Sequence, residues 1–196
     1  MIETLSAWDR QLFLFLNQFH WPWLDPVAML ATKTEFWLPL YALLVYLIVK
    51  DYRRGAWLIL LCVVITIVLA DQTTSSLMKP FFHRLRPSHE PTLQDLVHIV
   101  DGYRGGLYGF ASGHAANTTG VAFFIFLLFR EKYRLIWLMF IWAFLMSYTR
   151  IYLGVHYPGD VVVGALIGTG CGYVAFRLYT WMKPKSTVNS DSLLVG

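Results

Sequence analysis

The chain has 196 residues, of which 57% are hydrophobic and only 14% charged, and its mean hydropathy is +0.51. That balance is too apolar for an ordinary soluble domain. The net charge of +4 would suit a nucleic-acid partner in a polar protein. Here the cations sit in short clusters between long apolar runs, so orientation in an anionic bilayer explains them and no nucleic acid is expected.

Residues 5–20 set Leu5, Trp8, Leu12, Phe15, Leu16 and Phe19 at helical spacing among polar neighbours. This predicts an amphipathic helix in the membrane interface. Residues 36–49 are solidly apolar but shorter than the roughly 20 residues a span needs. The first span is therefore extended back to Pro26, with Lys33 and Glu35 near its outer end. The runs 57–78, 113–129, 135–153 and 158–182 predict the remaining spans. The expected fold is all-α: an integral membrane helical bundle of about five transmembrane helices plus the N-terminal interfacial helix. Residues 1–183 form one membrane-embedded domain and residues 184–196 a disordered tail. No cleavable signal peptide is expected, because Glu3, Asp9 and Arg10 interrupt the first ten residues. Cys62 and Cys171 lie inside apolar runs without metal-like spacing and read as packing residues.

Lys50, Arg53 and Arg54 close the first span, Arg130, Lys132 and Arg134 separate the third from the fourth, and Arg177, Lys183 and Lys185 follow the fifth. With five spans these clusters share one face, which the positive-inside rule makes cytoplasmic. The opposite face holds the 79–112 segment, rich in Pro, Gly and His, and the turn at 153–158. Lys79, Arg84, Arg86 and Arg104 on that face fit anion binding better than topology.

Three groups on this outer face carry chemistry. Lys79 and Arg86 stand seven residues apart, two helical turns, and two cations aimed at one point bind a multiply charged anion. Ser112 suits a helix N-cap, and the N–H groups of Gly113 and His114 at that helix start form an anion pocket. Arg150, His156 and Asp160 form the third group. Asp160 can accept from one ring nitrogen of His156 and leave the other as a lone-pair nucleophile. A metal site of His114, His156 and Asp160 is the rival, disfavoured by the surrounding Lys79, Arg86 and Arg150. Asp71 and its polar neighbours inside the second span read as interhelical hydrogen bonding, with support of the site as the lesser alternative. Asn117 and Thr118 lie one turn beyond His114, His83, His89 and His98 read as surface residues, and Tyr103, Arg104 and Tyr108 are candidates for a lid or head-group contact.

In order and spacing, Lys-x6-Arg-Pro, Ser-Gly-His and Arg-x5-His-x3-Asp resemble the type 2 phosphatidic acid phosphatase superfamily, over a catalytic core of about 71–168. Ala111 and Thr149 depart from its usual Pro and Ser, at positions that carry no reacting group. The resemblance implies a metal-independent, cofactor-free lipid phosphatase acting through a phosphohistidine. His156 would be the nucleophile, Asp160 its orienting carboxylate, His114 the acid and base, and Lys79, Arg86, Ser112, Gly113 and Arg150 the phosphate holders. The expected setting is a bacterial cytoplasmic (inner) membrane with the site facing outward. The expected substrate is a phospholipid or polyprenyl (di)phosphate, with undecaprenyl diphosphate ranked first. Phosphatidylglycerol phosphate, phosphatidic acid and lipid A phosphates follow. Phosphotransfer, vanadate-dependent oxidation and non-catalytic lipid binding are the alternatives.

Overall fold

The computed structural model describes residues 2–183, so the tail expected at 184–196 lies outside the described residues. Helix α1 (Ile2–Asn17) is followed by the short α2 (Asp25–Ala31) and by α3 (Leu38–Tyr52). Helix α4 (Ala56–Asp71) runs through a π-helical segment, Gln72–Met78, into the single turn α5 (Lys79–Phe82). Then come α6 (Gly113–Phe129), α7 (Leu138–Tyr152) and α8 (Pro158–Met182). The helical stretches Thr34–Phe82, Arg134–Tyr152 and Pro158–Met182 are long and apolar enough to cross a bilayer, and α6 is a shorter apolar helix. The first stretch reverses at Arg53, whose φ of 44° turns the chain back, and so supplies two crossings. The molecule is an integral membrane helical bundle.

The first span does not run unbroken from Pro26. Helix α2 stops at Ala31, Lys33 is extended, and α3 restarts with Pro39 in its first turn. Proline has no N–H to continue a helix and its ring crowds the carbonyl four residues back, so a restart is forced there. Trp37 Nε1 donates to the Ala31 carbonyl at 2.7 Å and satisfies one end of the break. At the far end of α3, Tyr52 donates to the Leu128 carbonyl, and Asp51 takes both Lys132 (2.6 Å) and the Tyr133 hydroxyl (2.9 Å). Two of the basic clusters thus lie together at one end of the bundle.

Helix α6 is the centre, and α8 lies almost in backbone contact with it. A Cβ on Gly164, Gly168 or Gly172 would overlap the carbonyl oxygens of Ser112, Ala116 and Gly120 respectively. Lipid offers little hydrophobic drive between helices, so close approach through small residues is what holds this pair. The approach also joins the start of α6 to that of α8, where Ser112 N–H donates to the Asp160 carbonyl at 2.9 Å. Helix α1 lies across the C-terminal end of α7 and the start of α8. Phe13 is buried with Leu93, Ile151 and Tyr157, Asn17 Nδ2 donates to the carbonyls of Ile151 and Tyr152, and Leu5, Trp8 and Phe15 stay exposed. That amphipathy suits an interfacial helix.

Candidate active site

Polar side chains bond back along α4 and α5 and place Lys79. Thr73 and Thr74 donate to the carbonyls of Leu69 and Ala70, inside and beside the π-helical segment, a local widening that recurs at functional sites. Lys79 Nζ donates to Ser75 Oγ at 3.0 Å, and Ser75 donates on to Asp71 Oδ1 at 3.2 Å. Asp71 is therefore tied to Lys79 along its own helix, where bonding to another helix was expected. The Lys79 ammonium lies 3.9 Å from the point where Gly113 would carry a Cβ, beside the start of α6.

Lys79 and Arg86 do not share a helix face as their spacing predicts. His83 takes a left-handed conformation (φ 47°) and ends α5. Beyond it the chain is extended: Arg86 N–H donates to the Leu107 carbonyl, and Gly109 N–H to that of Arg84. Convergence is reached through this pairing of residues 84–86 with 107–109.

Arg86 Nη1 donates to the Val155 carbonyl at 3.1 Å and lies 2.9 Å from His156 Nε2, while its Nε donates to the Tyr108 carbonyl at 3.2 Å. A guanidinium can only donate. His156 Nε2 is therefore the acceptor, and the ring proton sits on Nδ1, which faces Asp160 Oδ2 at 3.4 Å. Asp160 is fully buried and accepts from Tyr157 N–H at 3.0 Å on that same oxygen. His156 is 1% exposed. Burial first, then the charges of Arg86, Arg150 and Lys79, hold its pKa well below the usual 6.5, so the ring is neutral.

Ser112 caps α6, its Oγ accepting from Ala115 N–H, and His114 follows with its side chain exposed. Arg86, Arg150, Lys79 and His156 are the charged and titratable neighbours of His114. Arg150 is 1% exposed and stands one layer back: Nη2 donates to the Tyr103 hydroxyl at 2.9 Å, Nη1 to Thr32 Oγ1, and the guanidinium faces the Tyr103 ring. Tyr103 thus holds a cation. Arg104 bonds the Ser88 carbonyl, and Tyr108 contributes its backbone to Arg86. Thr118 donates to the His114 carbonyl, whereas Asn117 Oδ1 is buried without a partner. His98 is not a free surface residue, since it stacks on His20 at 3.7 Å and pairs with Asp25 at 3.0 Å. Among the described residues no group of three or more His, Cys, Asp or Glu side chains has a metal-binding arrangement.

Arg84, grouped with Lys79, Arg86 and Arg104 as fitting anion binding, meets two carboxylates of the chain itself, and Asp9 was not singled out for the site. Arg84 bridges Asp160 Oδ1 and Asp9 Oδ2, both at 2.7 Å, and Asp9 belongs to α1. A groove of about 800 Å³ opens beside them, lined by Leu5, Trp8, Leu12, Phe82, Phe110 and Val162 among others.

Residues 55–184 match the sequence pattern of the PAP2 superfamily. The chain is 45% identical to a lipid A 4'-phosphatase of Bacteroides thetaiotaomicron, over 100% of this chain and 87% of that protein. It is 31% identical to an undecaprenyl-diphosphatase of Sulfolobus acidocaldarius, over 90% and 81% of the two chains. Among solved structures, Aquifex aeolicus LpxE superposes with a TM-score of 0.61 at 30% identity, covering 85% of this chain and 93% of that one. On this match and these similarities the chain is a membrane phosphatase and belongs to the PAP2 superfamily.

Proposed function

We propose that the protein removes a phosphate from lipid A at the outer leaflet of a bacterial cytoplasmic membrane, through a phosphohistidine on His156. The observation that carries the reading is the placement of the His156 ring, with Nε2 2.9 Å from the Arg86 guanidinium and Nδ1 facing Asp160 Oδ2 at 3.4 Å. When phosphate enters, Arg86 exchanges Nε2 for a phosphate oxygen. Lys79, Arg150, Ser112 and the Gly113 N–H then hold the remaining oxygens, where negative charge is concentrated in phosphoryl transfer. His156 Nε2 forms a bond to phosphorus as the phosphorus–oxygen bond to the lipid breaks, and His114 protonates the departing oxygen. Water then attacks phosphorus, His114 takes its proton, and the phosphorus–nitrogen bond breaks to release inorganic phosphate. The steps use charged side chains and helix-start amides throughout.

The 45% identity over the whole chain supports lipid A ahead of undecaprenyl diphosphate, the first-ranked substrate on sequence alone. The apolar groove between α1 and α8, ending at Arg84 beside Asp160, supports a substrate whose chains stay in the bilayer. The outward orientation rests on the basic clusters joined at the opposite end of the bundle.

The test is phosphate release by purified protein from lipid A, undecaprenyl diphosphate, phosphatidylglycerol phosphate and phosphatidic acid, in water enriched in heavy oxygen. Expected are fastest release from lipid A, solvent oxygen in the released phosphate, and no release by H156Q. Equal turnover by H156Q would remove the phosphohistidine, and faster turnover of another lipid would overturn the substrate.

A further inference from the structure

The buried carboxylate behind the nucleophile is held by an arginine at an unspecified position of the first motif and, through it, by a residue of α1. Asp160 has two oxygens with separate tasks: Oδ2 faces His156 and the Tyr157 amide, and Oδ1 accepts from Arg84 at 2.7 Å. Arg84 has no freedom to leave. Its second nitrogen donates to Asp9 at 2.7 Å, and its guanidinium lies over the Tyr157 ring, 4.1 Å from the centroid. Asp9 in turn accepts from the Gly159 amide at 2.8 Å through its other oxygen. That amide is one of the N–H groups left without an intrahelical partner at the start of α8. A Cβ on Gly159 would sit 2.7 Å from Asp9 Oδ2, so only glycine lets the α1 carboxylate approach. Three hydrogen-bonded contacts thus close a ring from α1 through Arg84 to Asp160 and, by the peptide link to Gly159, back to α1.

We infer that Arg84 and Asp9 are positioning residues that set the orientation and basicity of the Asp160–His156 pair, which makes the interfacial helix α1 part of the catalytic apparatus. The inference rests on His156 being the nucleophile, as proposed above. Arg84 draws charge from Asp160 and weakens its pull on the His156 ring. Asp9 opposes this by sharing the same guanidinium. The two residues therefore tune His156 in opposite senses. The other charges facing the ring are Arg86, Arg150, Lys79 and the carboxylate of Asp160 itself. His114 and Tyr157 are the remaining titratable neighbours. All of these residues are retained in variants at positions 9 and 84, and of them Asp160 and Tyr157 are the two that Arg84 touches directly.

The experiment compares full-length protein with R84Q, R84K, D9N and D9E in detergent, measuring kcat, KM and the acidic limb of kcat/KM for phosphate release. Removing a cation makes His156 easier to protonate and removing an anion makes it harder. R84Q should therefore move the acidic limb up and D9N should move it down, each by about one pH unit or less. Both should lower kcat by about 10- to 100-fold with KM nearly unchanged, as loss of an orienting partner does. R84K and D9E, which keep the charges, should leave the limb in place. Limbs that stay put in R84Q and D9N, or move in the same direction, would overturn the inference, whatever happens to thermal stability. A protein without phosphohistidine chemistry would show itself differently, by full turnover in H156Q.

Discussion

An imidazole wedged between a guanidinium and a carboxylate does not titrate as it would in water. Burial and the charges of Arg86, Arg150 and Lys79 keep His156 neutral below its ordinary pKa of 6.5. The acidic limb of the kcat/KM profile should accordingly fall below pH 6.5, as a pH series of phosphate release would show. Stability follows with a definite sign. The unfolded chain takes up a proton on this ring near pH 6.5 while the folded chain resists it, so the native state weakens as pH drops through that value. Thermal midpoints in detergent should fall with acidification in the native protein and fall less in H156Q. The residue types and order of the candidate site were legible in the sequence because phosphate chemistry restricts them: the structure brings Arg86 to His156, His156 to Asp160 and Lys79 to the start of α6, with Arg150 one layer back. Arg84 and Asp9 were not. Their partnership spans 75 residues, and a lone arginine beside Arg86 has the same composition whether it meets a phosphate or a carboxylate.

Among the elements, the α6–α8 crossing does most to bring the motifs together. Gly164, Gly168 and Gly172 recur every fourth residue along one face of α8, a small-residue stripe that lets two backbones touch. G168L should cost about 3 kcal/mol or more by overpacking, read as a lower thermal midpoint in detergent. It should also lower activity, because any shift of α6 carries Ser112 away from Asp160. L166A, on the lipid-exposed side of the same helix, should leave both nearly unchanged. The helix start at Ser112 was read in advance, whereas the glycine stripe was not singled out, because glycines in an apolar run do not say which helix they face. The break between α2 and α3 was half readable: Pro39 announces a helix restart, but the length a span requires argued for continuity. The π-helical segment was not readable, since a polar run inside a helix does not announce a change in its backbone bonding. The extended pairing that delivers Arg86 was hidden for a similar reason, as it joins residues more than twenty positions apart by backbone alone.

At the scale of the whole molecule, the hydrophobic runs and basic clusters set the bundle and its direction in the membrane before any helix packs. Cysteines placed at Asp101 and Glu131, both exposed, should report that direction. An impermeant maleimide should label D101C in intact cells and E131C only after permeabilisation, and the reverse would invert the molecule. The central helix also sets a dimension. At 17 residues and 1.5 Å per residue α6 is about 26 Å long, against a hydrocarbon core of roughly 30 Å. Its neighbours α4, α7 and α8 wall this column off from lipid, so the missing length is made up by protein at its two ends: the pairing of residues 84–86 with 107–109 at one and the Asp51–Lys132 link at the other. A head group bound for the nearly sealed imidazole of His156 therefore has to pass a rim of protein and does not meet it at an open bilayer surface.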